Sequence, residues 1–190
     1  MTNGGGPAPP GVTVRPYRPA DHNACRRLWG ELVEHREHLY GRADTGRADT
    51  GRADAARADA GTDASIGFEE YLTRLDLSGM WVAQSSDGVV GFLGLTLDGS
   101  AAAIDPVVVT RRLRGRGIGR ALLATAADEA RRRGLKSLSV SPFARDHAAL
   151  RSLRAAGFGA VENVTLSYAL RGRPPRHEEP LDLYDLRFHS

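Results

Sequence analysis

Thiols and lysines are almost missing from this chain. Cys25 is the single cysteine, which excludes an internal disulfide and any zinc site built on clustered thiolates, and fits a reducing compartment. Lys136 is the single lysine, so nearly every basic residue is Arg, even in repeats where no bidentate contact is needed; coding bias explains that better than ligand recognition. Basic residues number 26 against 23 acidic ones, for a net charge of +3. So small an excess argues against nucleic acid as a partner. Long apolar runs are also missing. No stretch approaches a membrane span, and the opening "MTNGGGPAPPG" has no apolar signal-peptide core, so no membrane partner and a soluble, cytoplasmic protein are expected. There is no Gly-Lys-Ser/Thr phosphate loop and no His-Glu-x-x-His zinc motif. What is present is 190 residues with 41% hydrophobic content, enough for one domain with a real core and too little for two ordinary ones.

Two segments have little to bury. Met1 to Gly11 is a Gly- and Pro-rich lead. Gly41 to Ala64, "GRADTGRADTGRADAARADAGTDA", repeats Arg-Ala-Asp every five residues, a period that matches neither a helix nor a strand. This insertion is expected to be a dispensable linker. The remainder, residues 12–170, reads as one domain. "VTVRPY" (Val12 to Tyr17) alternates as a strand, and Asp21 is placed to cap a helix carrying Cys25, Leu28, Trp29 and Leu32 and running to about Tyr40. A short helix is expected over Phe68 to Leu75. "MWVAQ", "VVGFLGLTL" and "AAAIDPVVV" then read as three strands joined by the turn signals "SSDG" and "LDGS". A helix to about Arg133, a strand over Ser137 to Val140, a helix from about Asp146 to Ala156 and a strand "VTLSYAL" (Val164 to Leu170) complete the order. The pattern predicts an α/β chain with a mixed sheet and helices on both faces.

Five arginines and three glycines crowd "RRLRGRGIGRALL" (Arg111 to Leu123). The stretch leaves an apolar strand and enters a helix with Ile118, Leu122, Ala126 and Ala130 on one face, so it is a strand-loop-helix turn rather than a disordered RNA-binding tail. Glycines at 117 and 119 let a phosphate approach the main chain, and successive N–H groups around Arg116 to Arg120 form an anion nest. Pro106 cannot donate a ladder hydrogen bond, so "IDPVVV" should carry a bulge or lose its pairing there.

The motif R-x-x-G-x-G, met by Arg114, Gly117 and Gly119 after a strand and before a helix, resembles the acetyl-CoA loop of the GNAT superfamily of N-acyltransferases. "LRAAGF" (Leu153 to Phe158) closes the last helix as in that family, and the resemblance runs from about Val12 to Leu170. It implies a mostly antiparallel mixed sheet with a splayed central strand pair, and acetyl-CoA as cosubstrate. By the same resemblance the cosubstrate is held by Val107, Val108 and Val109 along the splayed strand, by Arg114, Gly115, Arg116, Gly117, Ile118, Gly119 and Arg120 in the loop, and by Asp146. The reaction implied is acetyl transfer to a primary amine.

Such a transfer needs a base for the ammonium, an oxyanion donor and an acid for the leaving thiolate. The resemblance puts the oxyanion donor at a main-chain N–H near Val109 and the base at Asp105, where relatives often carry Glu; the alternative for Asp105 is a carboxylate that caps the bulge. Glu31 and Glu34 on the first helix are further candidates. The acid departs from the family pattern. Many relatives carry Tyr four residues before the Gly of the closing Gly-Phe, and this chain has Leu153. Tyr168 is the replacement chosen here, with Ser139, Ser141 and His147 as others. His35 and His38 are read as a solvated helix face. Two other readings stay open: a non-catalytic acyl-CoA-binding regulatory module, and transfer to an amine borne on RNA. Finally, "LDLYDLRF" in the tail is too apolar to stay in water alone. It is expected to pair with a sheet edge, cover an apolar surface, or join a second copy as a homodimer.

Overall fold

A computed structural model of the protein describes residues 8–40, 64–165, 180–183 and 186–189. The Arg-Ala-Asp repeat and most of the N-terminal lead lie outside these residues. Strand β1 (Thr13–Pro16) leads through a 3-10 turn into helix α1 (His22–Tyr40); α2 (Ala64–Arg74) precedes β2 (Met80–Ser85), β3 (Gly88–Asp98) and β4 (Ala101–Val109). Helix α3 (Ile118–Arg132), β5 (Ser137–Val140) and α4 (His147–Ala155) follow, and the tail contributes β6 (Pro180–Leu183) and β7 (Leu186–His189). The five-stranded sheet runs β1-β2-β3-β4-β5. Its first three pairings are antiparallel and β4–β5 is parallel, as the mixed-sheet reading requires.

Alternation along the strands sends side chains to two cores. On β2, Met80 and Val82 join Cys25, Leu28, Trp29, Phe68 and Tyr71 beneath α1 and α2, while Trp81 and Ala83 join Ile118, Leu122, Ala126 and Leu153 beneath α3 and α4. Helix α3 ends where Gly134 takes φ +69, a conformation that favours glycine.

Two expectations need correction. Asp21 does not cap α1 with its side chain. It is buried, and Arg15 on β1 grips it with Nη1 and Nη2 at 2.7 and 2.8 Å while the Arg18 N–H donates at 2.9 Å. A carboxylate that looked like a cap is drawn instead to a guanidinium six residues earlier. The strand over "VTLSYAL" does not begin at Val164: residues 161–165 are outside any strand, with Val161 and Val164 exposed, because no neighbouring strand offers Val164 or Thr165 a ladder among the described residues. Residues 166–170 lie outside them. In the tail, β6 and β7 pair antiparallel with each other, separately from the five-stranded sheet. Among the described residues, then, the tail forms its own hairpin rather than extending a sheet edge.

The Arg15 hydrogen bonds hold the Asp21 carboxyl below its ordinary range, against burial, which pushes it up. A lowered folded pKa contributes stability above the unfolded value and loses it as pH falls through the folded one. Asp21→Asn should therefore cost about 2 kcal/mol at neutral pH and lose part of this penalty in acid. Urea melts of both proteins across the acid range measure it.

Candidate active site

The sheet opens in its middle. Strand β5 pairs with β4 only over Ala101–Ile104 against Ser137–Val140, so 105–109 of β4 has no ladder partner on that side among the described residues. On the other side the β3 register jumps from Leu93↔Val107 to Leu95↔Ile104. Gly94 thus faces two residues, Asp105 and Pro106, which is the bulge expected from Pro106. Tyr71 of α2 fixes it by donating its hydroxyl to the Asp105 carbonyl at 2.8 Å. Burial pushes the Tyr71 phenol well above its ordinary range, and the Asp105 carboxylate adds to this.

The backbone of β4 then decides what the opening offers. Thr110 donates its N–H to Val90 on β3 at 2.9 Å, so antiparallel alternation turns Val108 to β3 as well and turns Val107 and Val109 away from it. Their polar groups face the opening. Arg114 lies beside them and donates from Nε to the Val109 carbonyl at 3.1 Å. Val108 turns its polar groups to β3, and its side chain is buried in the core under α1.

The loop to α3 keeps its main chain bare. Gly115 and Gly117 take φ +76 and +86, and Gly117 is the N-cap of α3. A Cβ at either would meet nothing within 4 Å, and at Gly119 only Val109 Cγ2 at 3.8 Å. Open space therefore lies over the glycines, and it borders the helix N-terminus. The Ala121 N–H is bonded to the Gly117 carbonyl, which leaves the amides of Ile118, Gly119 and Arg120 in the turn that has no helical acceptor. Ile118 buries its side chain, whereas Arg114, Arg116 and Arg120 are exposed. These residues fit a pyrophosphate: bare backbone, free amides and three guanidiniums.

Helix α1 spans the mouth of the opening. Glu31 accepts from Thr110 Oγ1 at 2.8 Å and from the Arg111 N–H at 2.7 Å, anchoring the end of β4. Four residues on, His35 Nε2 lies 2.7 Å from Asp146 Oδ2. Four further, the Leu39 carbonyl accepts from Arg145 Nη1 at 3.0 Å. His35 is thus no solvated residue of a helix face. Asp146 also accepts the Ala149 N–H, as a helix cap, at 2.9 Å. Burial pushes its carboxyl up, but the Ala149 amide, His35 and the Arg114 charge together hold it below its ordinary range.

Among the other candidates, Glu34 is exposed and 3.9 Å from Arg111. Asp105 is half-buried at the bulge. Leu153 is packed in the core beneath α4, where it has no proton to give. Ser139 donates to the Ala102 carbonyl at 3.4 Å; Ser141 and His147 are exposed. Tyr168 lies outside the described residues. No helix among these is long and apolar enough to cross a membrane.

Comparison with known proteins agrees with this geometry. The pattern of the acetyltransferase (GNAT) family matches residues 47–158. Among solved structures, an aminoglycoside N-acetyltransferase in complex with CoA is 16% identical with a TM-score of 0.53, over 84% of this chain and 95% of that one. A putative acetyltransferase from Salmonella typhimurium with its cofactor acetyl-CoA is 22% identical with a TM-score of 0.55, over 77% and 79%. A GNAT-family acetyltransferase from Staphylococcus aureus Mu50 is 15% identical with a TM-score of 0.57, over 77% and 83%. No curated protein matches the chain.

Proposed function

Because the chain belongs to the acetyltransferase (GNAT) family, with acetyl-CoA as its cosubstrate, we propose that it acetylates a primary amine by direct attack within a ternary complex. The observation that carries this reading is the juxtaposition of the bare loop at the α3 N-terminus with the unpaired edge of β4. One holds an anion and the other holds an extended chain. Acetyl-CoA has both parts, and it supplies a thioester carbonyl open to an amine.

In this reading the amides of Ile118, Gly119 and Arg120 hold the pyrophosphate, with Gly115 and Gly117 clearing its approach and Arg114, Arg116 and Arg120 adding charge. Val107 and Val109 hold the pantetheine arm through their main chain, and the Val109 N–H is the donor to the carbonyl oxygen. Val108 assists only by fixing β4 to the core. Asp105 takes the ammonium proton through water, so that the nitrogen becomes a nucleophile. Its half-buried place at the bulge supports that role.

Turnover tests the proposal. The full chain should release CoA thiol from acetyl-CoA faster when amines are added, in a panel of polyamines, aminoglycosides and peptides with free α-amino groups. If calorimetry shows CoA binding while no amine gives turnover, the second reading takes its place: a non-catalytic acyl-CoA-binding module. The burial of Leu153 where relatives carry a proton donor favours that alternative.

A further inference from the structure

We infer that His35, oriented by Asp146, is the proton-transfer residue of the acetyl transfer, in the role that Leu153 cannot fill; this rests on the proposed reaction with an amine. Three observations converge. Glu31 and His35 share one face of α1, and that face runs from Thr110 and Arg111 at the end of β4 to Asp146 at the start of α4. Between those two contacts lies the opening that begins beyond Ile104 and Val140. His35 therefore stands at its mouth. The second observation is Arg114, which donates to the Val109 carbonyl and whose charge acts on Asp146. One guanidinium thus links the β4 edge that would hold the thioester to the carboxylate that holds the imidazole.

The third is the geometry of the pair. The contact between Nε2 and Asp146 Oδ2 is 2.7 Å, with side chains 22% and 17% exposed. A carboxylate on Nε2 fixes that nitrogen as the N–H and leaves Nδ1 as the proton acceptor. Structural pairing alone does not need a histidine; a lysine or arginine would bind Asp146 as well. The proton path balances without another reactant. As the N–C bond forms and the C–S bond breaks, Nδ1 takes the proton leaving the amine nitrogen and delivers it to the thiolate sulfur. His35 returns to its starting state.

The test uses the full chain and the variants H35Q, D146N and Y168F. For H35Q, kcat with the best amine of the panel should fall about 100-fold while KM for acetyl-CoA and calorimetric CoA affinity stay within about threefold. D146N should retain more activity. A second readout needs no turnover: carbethoxylation of His35 by diethylpyrocarbonate, followed by mass spectrometry, should be blocked when acetyl-CoA is bound, because the imidazole faces the thioester. An unchanged kcat in H35Q, His35 carbethoxylation that acetyl-CoA does not slow, or a loss carried by Y168F instead would overturn the inference. A fall in CoA affinity and melting temperature equal to the fall in kcat would make His35 a strut and overturn it too. Should the parent bind CoA and acetylate nothing, the amine reading fails, while protection of His35 from carbethoxylation by acetyl-CoA still decides whether His35 faces the thioester.

Discussion

Gly94→Ala is expected to destabilise the protein by about 3 kcal/mol, among the largest effects of any single methyl group here. A Cβ at this position would fall within the Tyr71 hydroxyl and 2.8 Å from the Asp105 carbonyl oxygen. Neither neighbour can move freely. Tyr71 is 3% exposed, and its hydroxyl is tied to the same carbonyl that the methyl group approaches. Relief requires breaking that hydrogen bond or shifting the bulge on β4, and each damages the opening beside it. Tyr71→Phe removes the hydroxyl, so the double variant should recover part of the loss and leave the clash with the carbonyl. Denaturant unfolding of the two single variants and the double one measures the coupling. A Gly94→Ala protein that melts with the parent would show that the Tyr71 hydroxyl is not seated over Gly94.

Gly117→Val should weaken CoA binding about 100-fold, which is the loss of one or two hydrogen bonds to a charged group. Two effects contribute and can be separated. The position has φ +86, where a side chain costs about 1–2 kcal/mol of backbone energy. Alanine incurs this strain as valine does. The branched side chain adds a steric effect, since it fills the space through which a phosphate reaches the amides of α3. Calorimetry with Gly117→Ala and Gly117→Val, each shown to be folded by circular dichroism, therefore distinguishes strain from obstruction. Parent-like affinity in the valine variant would refute the assignment of the loop.

These two glycines differ in how they could be found. Gly117 announces itself by its neighbours, because Arg and Gly alternate between an apolar strand and an amphipathic helix. The strands were legible from local signals too: "MWVAQ" and "VVGFLGLTL" are short apolar runs bounded by turn residues, and the Pro106 bulge follows from a missing donor. Gly94 looks like any small residue in a strand until Tyr71 is brought over it by α2. Its role depends on a hydrogen bond spanning 34 positions, and such contacts leave no periodic trace. The same holds for Glu31 with Thr110, 79 positions apart, and for His35 with Asp146, 111 apart. Asp21 misled for the opposite reason. Its local surroundings suited a helix cap, and Arg15 on the preceding strand outcompeted the helix for it.

The span of α1 across the opening also orders the birth of the protein. Helix α1 is made before α2, α3 and α4, yet its contacts through Glu31, His35 and Leu39 are with residues made some 80 to 110 positions later. Loops that long close late in folding, after the local hairpins of β2, β3 and β4 have formed. A nascent chain halted before Arg145 can hold the antiparallel part of the sheet, but its cleft has only one wall. The wall that α1 forms is therefore completed by residues far from it in the chain.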